Sequence, residues 1–178
     1  LEFAGCSRLT DVYLAADYPE RKAAEFFMFR PEIKLHWPKK KILSRGRIVT
    51  VGEILEAYDD ILTPEKAQHL TVENHVLRIP EGYVTIAPNF AQFVDPRKDE
   101  PEHTLRTVIL PKSIRRIAAK AFAGLESVLH IVMPEGLQMV DMNAFTGCTG
   151  PRRLVLPDSV IYIGSFAFAA PCSYEQIL

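Results

Sequence analysis

The chain has 178 residues, 48% of them hydrophobic, and its 21 basic and 22 acidic side chains give a formal net charge of −1. This near-neutral balance argues against nucleic acid as a main partner, because phosphate binding needs a clustered basic excess. No apolar run approaches the roughly 20 residues of a membrane-spanning helix, and the three cysteines cannot form a complete disulfide framework.

The chain begins with the pattern of a repeat. Residues 3–14 have the same apolar spacing as residues 145–156, so they predict the end of one repeat and the strand of the next. Cys6 and Cys148 occupy the same position within Phe-x-Gly-Cys, where a thiol packs as a small hydrophobic group.

A helix is predicted over residues 17–29. Asp17 and Glu20 form a capping-box pattern, and Pro19 falls in the first turn. Four apolar residues form a stripe at helical spacing: Ala23, Ala24, Phe27 and Met28. By its position in the repeat, Phe26 takes the place of a core phenylalanine.

A helical insertion is predicted at about residues 39–75. Thr50 and Glu53 form a second capping box, and Thr63 followed by Pro64 starts a further short helix. Six apolar residues follow helical spacing on one face: Val51, Ile54, Leu55, Tyr58, Ile61 and Leu62. Because this stripe must be buried, the insertion is expected to pack on the rest of the chain.

The repeat is clearest after an expected mobile loop at about residues 94–104, which is polar and contains two prolines. Pro111, Pro134 and Pro157 follow one another at intervals of 23 residues, with a phenylalanine 11 residues after each. Before each proline, apolar residues alternate with others, which predicts a short strand with one buried face. Such a fixed period predicts a mostly β, α+β solenoid in which repeats of about 23 residues stack to form a parallel sheet.

The stretch Leu154 to Phe168, together with the motif Phe145-Thr-Gly-Cys148, resembles the BspA-like (treponemal-type) class of leucine-rich repeats. The likeness is close over residues 105–172 and fair over 1–15 and 76–93. It departs from the family seven residues after proline, where the family has glycine. At that position this chain has Gly164 in one repeat and Ala87, Ala118 and Asp141 in the others. If this position needs positive φ, the turn differs locally in those three repeats.

The resemblance implies a right-handed leucine-rich-repeat stack that forms a single domain over residues 1–178. It implies a bacterial cell-surface or secreted protein that works outside the cell by binding other macromolecules, and it implies no catalytic residues. Both ends of the chain fall inside a repeat. Because a bare end exposes core, we expect either flanking residues or end-to-end self-association between copies.

Strand alternation places two columns of residues on the open face of the predicted sheet. Two residues before each proline position stand Tyr13, His36, Arg78, Ile109, Val132 and Val155. Four residues before it stand Asp11, Lys34, Val76, Thr107, His130 and Arg153. The aliphatic end of the first column indicates a contact surface. Alternatively, the insertion or another segment covers it, or its residues reflect only the preference of strands for β-branched side chains.

The predicted function is therefore a non-enzymatic module for adhesion or protein–protein interaction that binds a macromolecule through these columns. The alternative is a structural spacer or surface-layer segment without a ligand of its own. No cofactor or metal is expected, because His69, Glu73 and His75 fit no standard zinc motif. Asp59 and Asp60 are adjacent on a predicted helix and do not share a face, which argues against paired-carboxylate catalysis.

Overall fold

The structure is a computed structural model that describes residues 8–15, 18–36, 48–94, 104–149, 153–169 and 176–177. The chain divides into two compact units, Leu1–Tyr58 and Asp59–Leu178. In the part of the chain that the structure describes, no helix is long and apolar enough to cross a membrane.

The first unit combines a three-stranded sheet with two helices. Its strands are β1 (Asp11–Tyr13), β2 (Lys34–His36) and β3 (Ile48–Thr50), and its helices are α1 (Glu20–Phe26) and α2 (Val51–Glu56). Strands β1 and β2 are parallel, with Val12 opposite Leu35, which confirms the register that the 23-residue spacing predicts. Strand β3 pairs antiparallel with the other edge of β2. The predicted helical insertion therefore begins, within its described residues, with a strand.

Helix α1 is shorter than the predicted helix. It begins at Glu20, and Pro19 stands at the N-cap without a side-chain hydrogen bond; the capping residue Asp17 lies outside the described residues. The predicted stripe is buried, whereas Phe26 is 43% exposed. Adjacent residues of a helix point about 100° apart. Phe27 faces the core with this stripe, so the prediction of a core role for Phe26 was wrong.

Both predicted caps in the insertion are confirmed. The Thr50 hydroxyl accepts a hydrogen bond from the Glu53 amide at 3.2 Å, and the Glu53 carboxylate accepts one from the Thr50 amide at 2.7 Å. The hydroxyl of Thr63 accepts a hydrogen bond from the Lys66 amide at 3.3 Å and so caps the next short helix.

The helix predicted from the apolar stripe Val51–Leu62 is shorter than expected, so the assignment of its last residues to a helix was wrong. Helix α2 ends at Glu56, while Ile61 and Leu62 form a strand, β4 (Ile61–Leu62), in the second unit. Both residues are fully buried, and their strand pairs in parallel with Thr85 and Ile86. Two adjacent apolar residues satisfy helical spacing by chance, and periodicity alone cannot separate a short strand from a helix.

The second unit has two main parallel ladders. The first sheet contains β5 (Val72–Glu73), β6 (Val76–Arg78), β8 (Thr107–Ile109) and β10 (His130–Val132). The second sheet contains β4, β7 (Thr85–Ile86), β9 (Arg116–Ile117), β11 (Met139–Val140) and β13 (Tyr162–Ile163). A further pair of strands is β12 (Arg153–Leu154) and β14 (Gln176–Ile177), and the helices are α3 (Pro64–Ala67) and α4 (Ala91–Val94).

The register of the first sheet follows the sequence prediction. Leu77 lies opposite Val108, and Val108 lies opposite Ile131, on parallel strands. Leu154 lies opposite Ile177 at the next 23-residue interval, and β12 is in contact with β10. Strand β5 differs, because it pairs antiparallel with β6.

The second sheet was not predicted. It consists of strands of two residues each, which stand five and six residues after the prolines of the clear repeats. The repeat pattern predicted one strand before each proline and none after it, because alternation cannot be recognised over two residues. Each repeat therefore contributes two short strands, one to each ladder.

A column of phenylalanine rings fills the core of the second unit. The column consists of Phe90, Phe122, Phe145 and Phe168. The centroids of each ring and the next one lie 5.3–5.4 Å apart, and the last three rings are nearly parallel. Burying one such ring contributes about 1.5–3 kcal/mol. Cys148 is fully buried beside this column, and its thiol donates to the Phe122 carbonyl at 2.9 Å, which confirms its structural role. Cys6 and Cys172 lie outside the described residues, as do residues 95–103 of the predicted loop.

Positive φ falls nine residues after proline rather than seven. Asn89, Lys120, Asn143 and Phe166 all have φ between 56° and 59°. The position seven residues after proline has no positive φ in any of these repeats. Gly164 is required there for space, since a Cβ on it would lie 2.4 Å from the backbone nitrogen of Met142. The condition for a locally different turn at Ala87, Ala118 and Asp141, a need for positive φ seven residues after proline, is therefore not met.

Asp141, the third residue at this position, is held by an ion pair. Its carboxylate is almost fully buried and accepts two hydrogen bonds from the Arg116 guanidinium, at 2.7 and 3.0 Å. Removing one partner would leave a buried charge without compensation. The pair thus joins β9 of one repeat to the residue that follows β11 in the next repeat.

Candidate binding face

The face of β1 and β2 in the first unit has a compact polar cluster. The rings of Tyr13 and His36 are stacked with centroids 4.5 Å apart and planes 20° apart. Nε2 of His36 lies 2.6 Å from Oδ1 of Asp11, and Lys34 lies opposite Asp11 across the strands. The sequence prediction that these four residues share a face agrees with this register.

Hydrogen bonding favours the charged form of the one carboxyl in this cluster. The Thr10 hydroxyl donates to Asp11 at 2.7 Å, and this bond, followed by that from His36, lowers the pKa of the Asp11 carboxyl below its ordinary value. Tyr13 is 80% exposed, so one face of its ring is open to a partner. An exposed aromatic ring beside charged groups is typical of contact sites in protein interfaces.

The strand face of the second unit is defined here by seven residues of β6, β8, β10 and the residue after β12. They are Val76, Arg78, Thr107, Ile109, His130, Val132 and Val155. Arg78, Ile109 and Val132 lie side by side on parallel strands, as predicted. Val132 is 50% exposed and Val155 is 54% exposed, so no described residue covers this end of the column. Arg153 lies on β12, but its side chain is outside the described part.

The structure brings the predicted residues together in two groups. Those of the first unit lie on the β1–β2–β3 sheet, and those before Arg153 in the second unit lie on the β5–β6–β8–β10 sheet. Each group is a strand face of its own unit.

A cavity of about 300 Å³ adjoins the second-unit strand face, and the sequence did not indicate it. Its described lining residues are Thr71, Glu73, Asn74, Val76 and Arg78. The hairpin between β5 and β6 forms it, with Asn74 and His75 at φ of 49° and 65°. Two-residue hairpins with a type I′ turn need positive φ at both central residues. The sequence signal that could have indicated this hairpin is the pair Asn74-His75 between two short stretches that contain Val72 and Val76-Leu77.

The two described histidines of this region, His69 and His75, do not lie in a group of potential metal ligands. The Nδ1 of His75 donates to the Thr104 carbonyl at 2.9 Å, and His69 is exposed. Across the described residues, no group of three or more His, Cys, Asp and Glu side chains could hold a metal ion.

The last described repeat carries an apolar patch. Its members are Ile161, Tyr162, Ile163 and Phe166, which are 81%, 41%, 49% and 72% exposed. In the two preceding repeats the position of Ile161 is held by Gln138 and Arg115. These four residues are called the terminal apolar patch. Neighbouring exposed apolar side chains are typical of contact surfaces.

Comparison with known proteins relates the second unit to a repeat family. Residues 101–177 match the family described as "BspA type Leucine rich repeat region (6 copies)". No match to a curated protein was found.

Two solved structures are similar to parts of the chain. The pneumococcal vaccine antigen PcpA is 22% identical, with a TM-score of 0.43, over 52% of this chain and 21% of that one. A leucine-rich repeat protein from Bacteroides ovatus is 20% identical, with a TM-score of 0.42, over 61% of this chain and 37% of that one. The chain thus spans well under two thirds of either protein.

Proposed function

We propose that this protein is a non-enzymatic module that binds another protein through the second-unit strand face, because residues 101–177 match the family of BspA-type leucine-rich repeats. One observation carries the proposal: Arg78, Ile109 and Val132 lie in line on parallel strands, and Val132 is half exposed. Exposed aliphatic side chains in a row give a partner apolar area to bury, and Arg78 gives it a charged anchor.

The site of action is outside the cell, at a bacterial surface or in secreted form, and the biological role is adhesion or another protein–protein contact. The BspA-type repeat supports this assignment. Recognition by a broad strand face also needs no catalytic residue, which fits a family whose repeats bind rather than catalyse.

Position-specific cross-linking tests this function. A photo-reactive benzoylphenylalanine is placed at Val132 in one variant and at Gln138 in a matched control, since Gln138 is also exposed but adjoins a strand of the second sheet. Both are illuminated with an extract of surface and secreted proteins. A discrete adduct at Val132 and not at Gln138 supports the proposal; equal labelling at both positions contradicts it.

End-to-end self-association is a second candidate, and the terminal apolar patch favours it. Strand β13 is the last described strand of its sheet, and residues 159–169 include no charged side chain. Edge strands that are not protected by charge or proline readily pair with another strand. A module with this contact alone would be a structural spacer.

Light scattering separates the two candidates. If copies associate through the terminal patch, Phe166→Asp should restore a monomer at a concentration where the unchanged chain is dimeric. Val132→Asp serves as the control and should leave association unchanged. A strictly monomeric unchanged chain would exclude the second candidate.

A further inference from the structure

The cavity beside the second-unit strand face holds one acid and one base that do not pair with each other. Glu73 lies opposite Val76 across the antiparallel β5–β6 pair, and the same register places Thr71 opposite Arg78. Glu73 and Arg78 are therefore diagonal neighbours, with backbones about 7–8 Å apart. Neither side chain has a hydrogen bond or ion pair to another described residue.

The two charges define which chemical group fits. A purely anionic group would meet the Glu73 carboxylate, and a purely cationic group would meet the Arg78 guanidinium. A carboxamide avoids both conflicts, because its carbonyl oxygen accepts from Arg78 while its NH₂ donates to Glu73. Asn74 and Thr71 add a further donor and acceptor from the lining.

The surface next to the cavity indicates what the carboxamide belongs to. Ile109 and Val132 follow Arg78 in register on the next two strands, at about 5 and 10 Å from it by the usual strand spacing. An extended peptide places every second side chain on one side, about 7 Å apart. A residue two places after the carboxamide would thus reach the aliphatic column.

We propose, on the basis of the binding function above, that this cavity receives the side-chain amide of a Gln or Asn in an extended peptide segment whose following alternate residues are aliphatic and lie on Ile109 and Val132. None of the five described lining residues is aromatic, so the described part of the cavity offers no ring on which a sugar could stack. The aliphatic neighbours likewise match a peptide better than a saccharide.

Fluorescence anisotropy with synthetic peptides tests the inference on the complete chain. The probe is a labelled heptapeptide, Ser-Gln-Ser-Ile-Ser-Val-Ser, and its relatives have Glu, Lys or Leu in place of Gln. The Gln peptide should bind about tenfold or more tightly than each relative, since a missing or mismatched partner leaves charged groups unpaired.

Charge variants provide a readout that misfolding would not produce. Glu73→Gln should shift the preference to the Glu peptide, and Arg78→Gln should shift it to the Lys peptide. Glu126→Gln, at an exposed position outside the cavity lining, is the matched control and should change nothing.

Several results would overturn the inference. These are equal affinity for the four peptides, unchanged preference in both charge variants, no binding of the Gln peptide at about 1 mM, or binding of an N-acetylglucosamine oligomer in its place. If the peptides fail while cross-linking at Val132 remains specific, only the carboxamide inference falls. If both fail, the strand face itself is not the binding site.

Discussion

The rings of Phe122 and Phe145 lie parallel, 5° apart in plane and 5.3 Å between centroids, in the core of the second unit. They come from equivalent positions of neighbouring repeats. A stack of this kind places each repeat in contact with the next one, so the loss of a single ring should weaken the whole unit.

Phe145→Ala is expected to lower the free energy of unfolding by about 3–5 kcal/mol, because it deletes a fully buried ring and leaves a cavity. Phe166→Ala is the control in the following repeat, where the ring is 72% exposed and the change should be below about 0.5 kcal/mol. Urea denaturation measures both. Similar losses in the two variants would contradict the assignment of the core.

Lys120→Asn is expected to stabilise the second unit by roughly 0.5 kcal/mol, because Asn tolerates positive φ better than Lys does. Lys120 has φ of 59°, and the neighbouring repeats have Asn89 and Asn143 at the same position. Lys112→Asn, at an exposed position without positive φ, should give no gain. Thermal unfolding of the two variants measures the effect. A lower melting temperature of Lys120→Asn would contradict the idea that the positive φ of Lys120 costs stability.

Gly164→Ala is expected to destabilise the unit by about 1–3 kcal/mol through overpacking. The added Cβ would lie 2.4 Å from the nitrogen of Met142 and 2.7 Å from the carbonyl carbon of Asp141, both of which are backbone atoms. Ser165→Ala is the neighbouring control, since its side chain is exposed. A neutral Gly164→Ala in chemical denaturation would mean that adjacent repeats are spaced more widely than described.

Glu81 should make stability depend on pH. Its carboxylate accepts hydrogen bonds from the backbone amides of Lys112 and Ser113, both at 3.1 Å, and these lower the pKa of Glu81 below its ordinary 4.5. Because the folded-state pKa of Glu81 is lower than its unfolded-state pKa, the ionised carboxylate stabilises the folded protein above pH 4.5. This stability is lost as the pH falls through the folded-state pKa.

The difference in denaturation midpoint between the unchanged chain and Glu81→Gln measures this effect. It should be largest near neutral pH and should shrink below pH 4.5. Glu135→Gln is the control, because Glu135 is exposed and also stands one residue after a repeat proline, Pro134. A difference that grows towards acid pH would have the wrong sign for this account.

The 23-residue period was sufficient to predict the first ladder, because equivalent residues of a stacked repeat must lie side by side. It placed Val108 beside Ile131 and identified Arg78, Ile109 and Val132 as neighbours on one face. The caps at Thr50 and Thr63 were predictable because each depends on local hydrogen bonds alone.

The position of β4, the packing of Phe90 and the cavity depend on tertiary contacts that no local sequence pattern indicates. Ile61 and Leu62 satisfied a helical pattern, but tertiary pairing with β7 placed them in a strand. Phe90 stands one residue before its expected position, with Ala91 in the place of the phenylalanine, yet its ring still reaches Phe122. The cavity arises from β5, an antiparallel strand outside the repeat pattern.

The central claim is that the second-unit strand face recognises a protein partner. The affinity of Val132→Arg for the partner that cross-links at this position tests it most directly, with Gln138→Arg as the control on the second sheet. The account predicts a loss of at least about tenfold for Val132→Arg, because a charge would replace a half-exposed apolar contact, and an unchanged affinity for Gln138→Arg. Unchanged binding by Val132→Arg, or an equal loss in both variants, would contradict it.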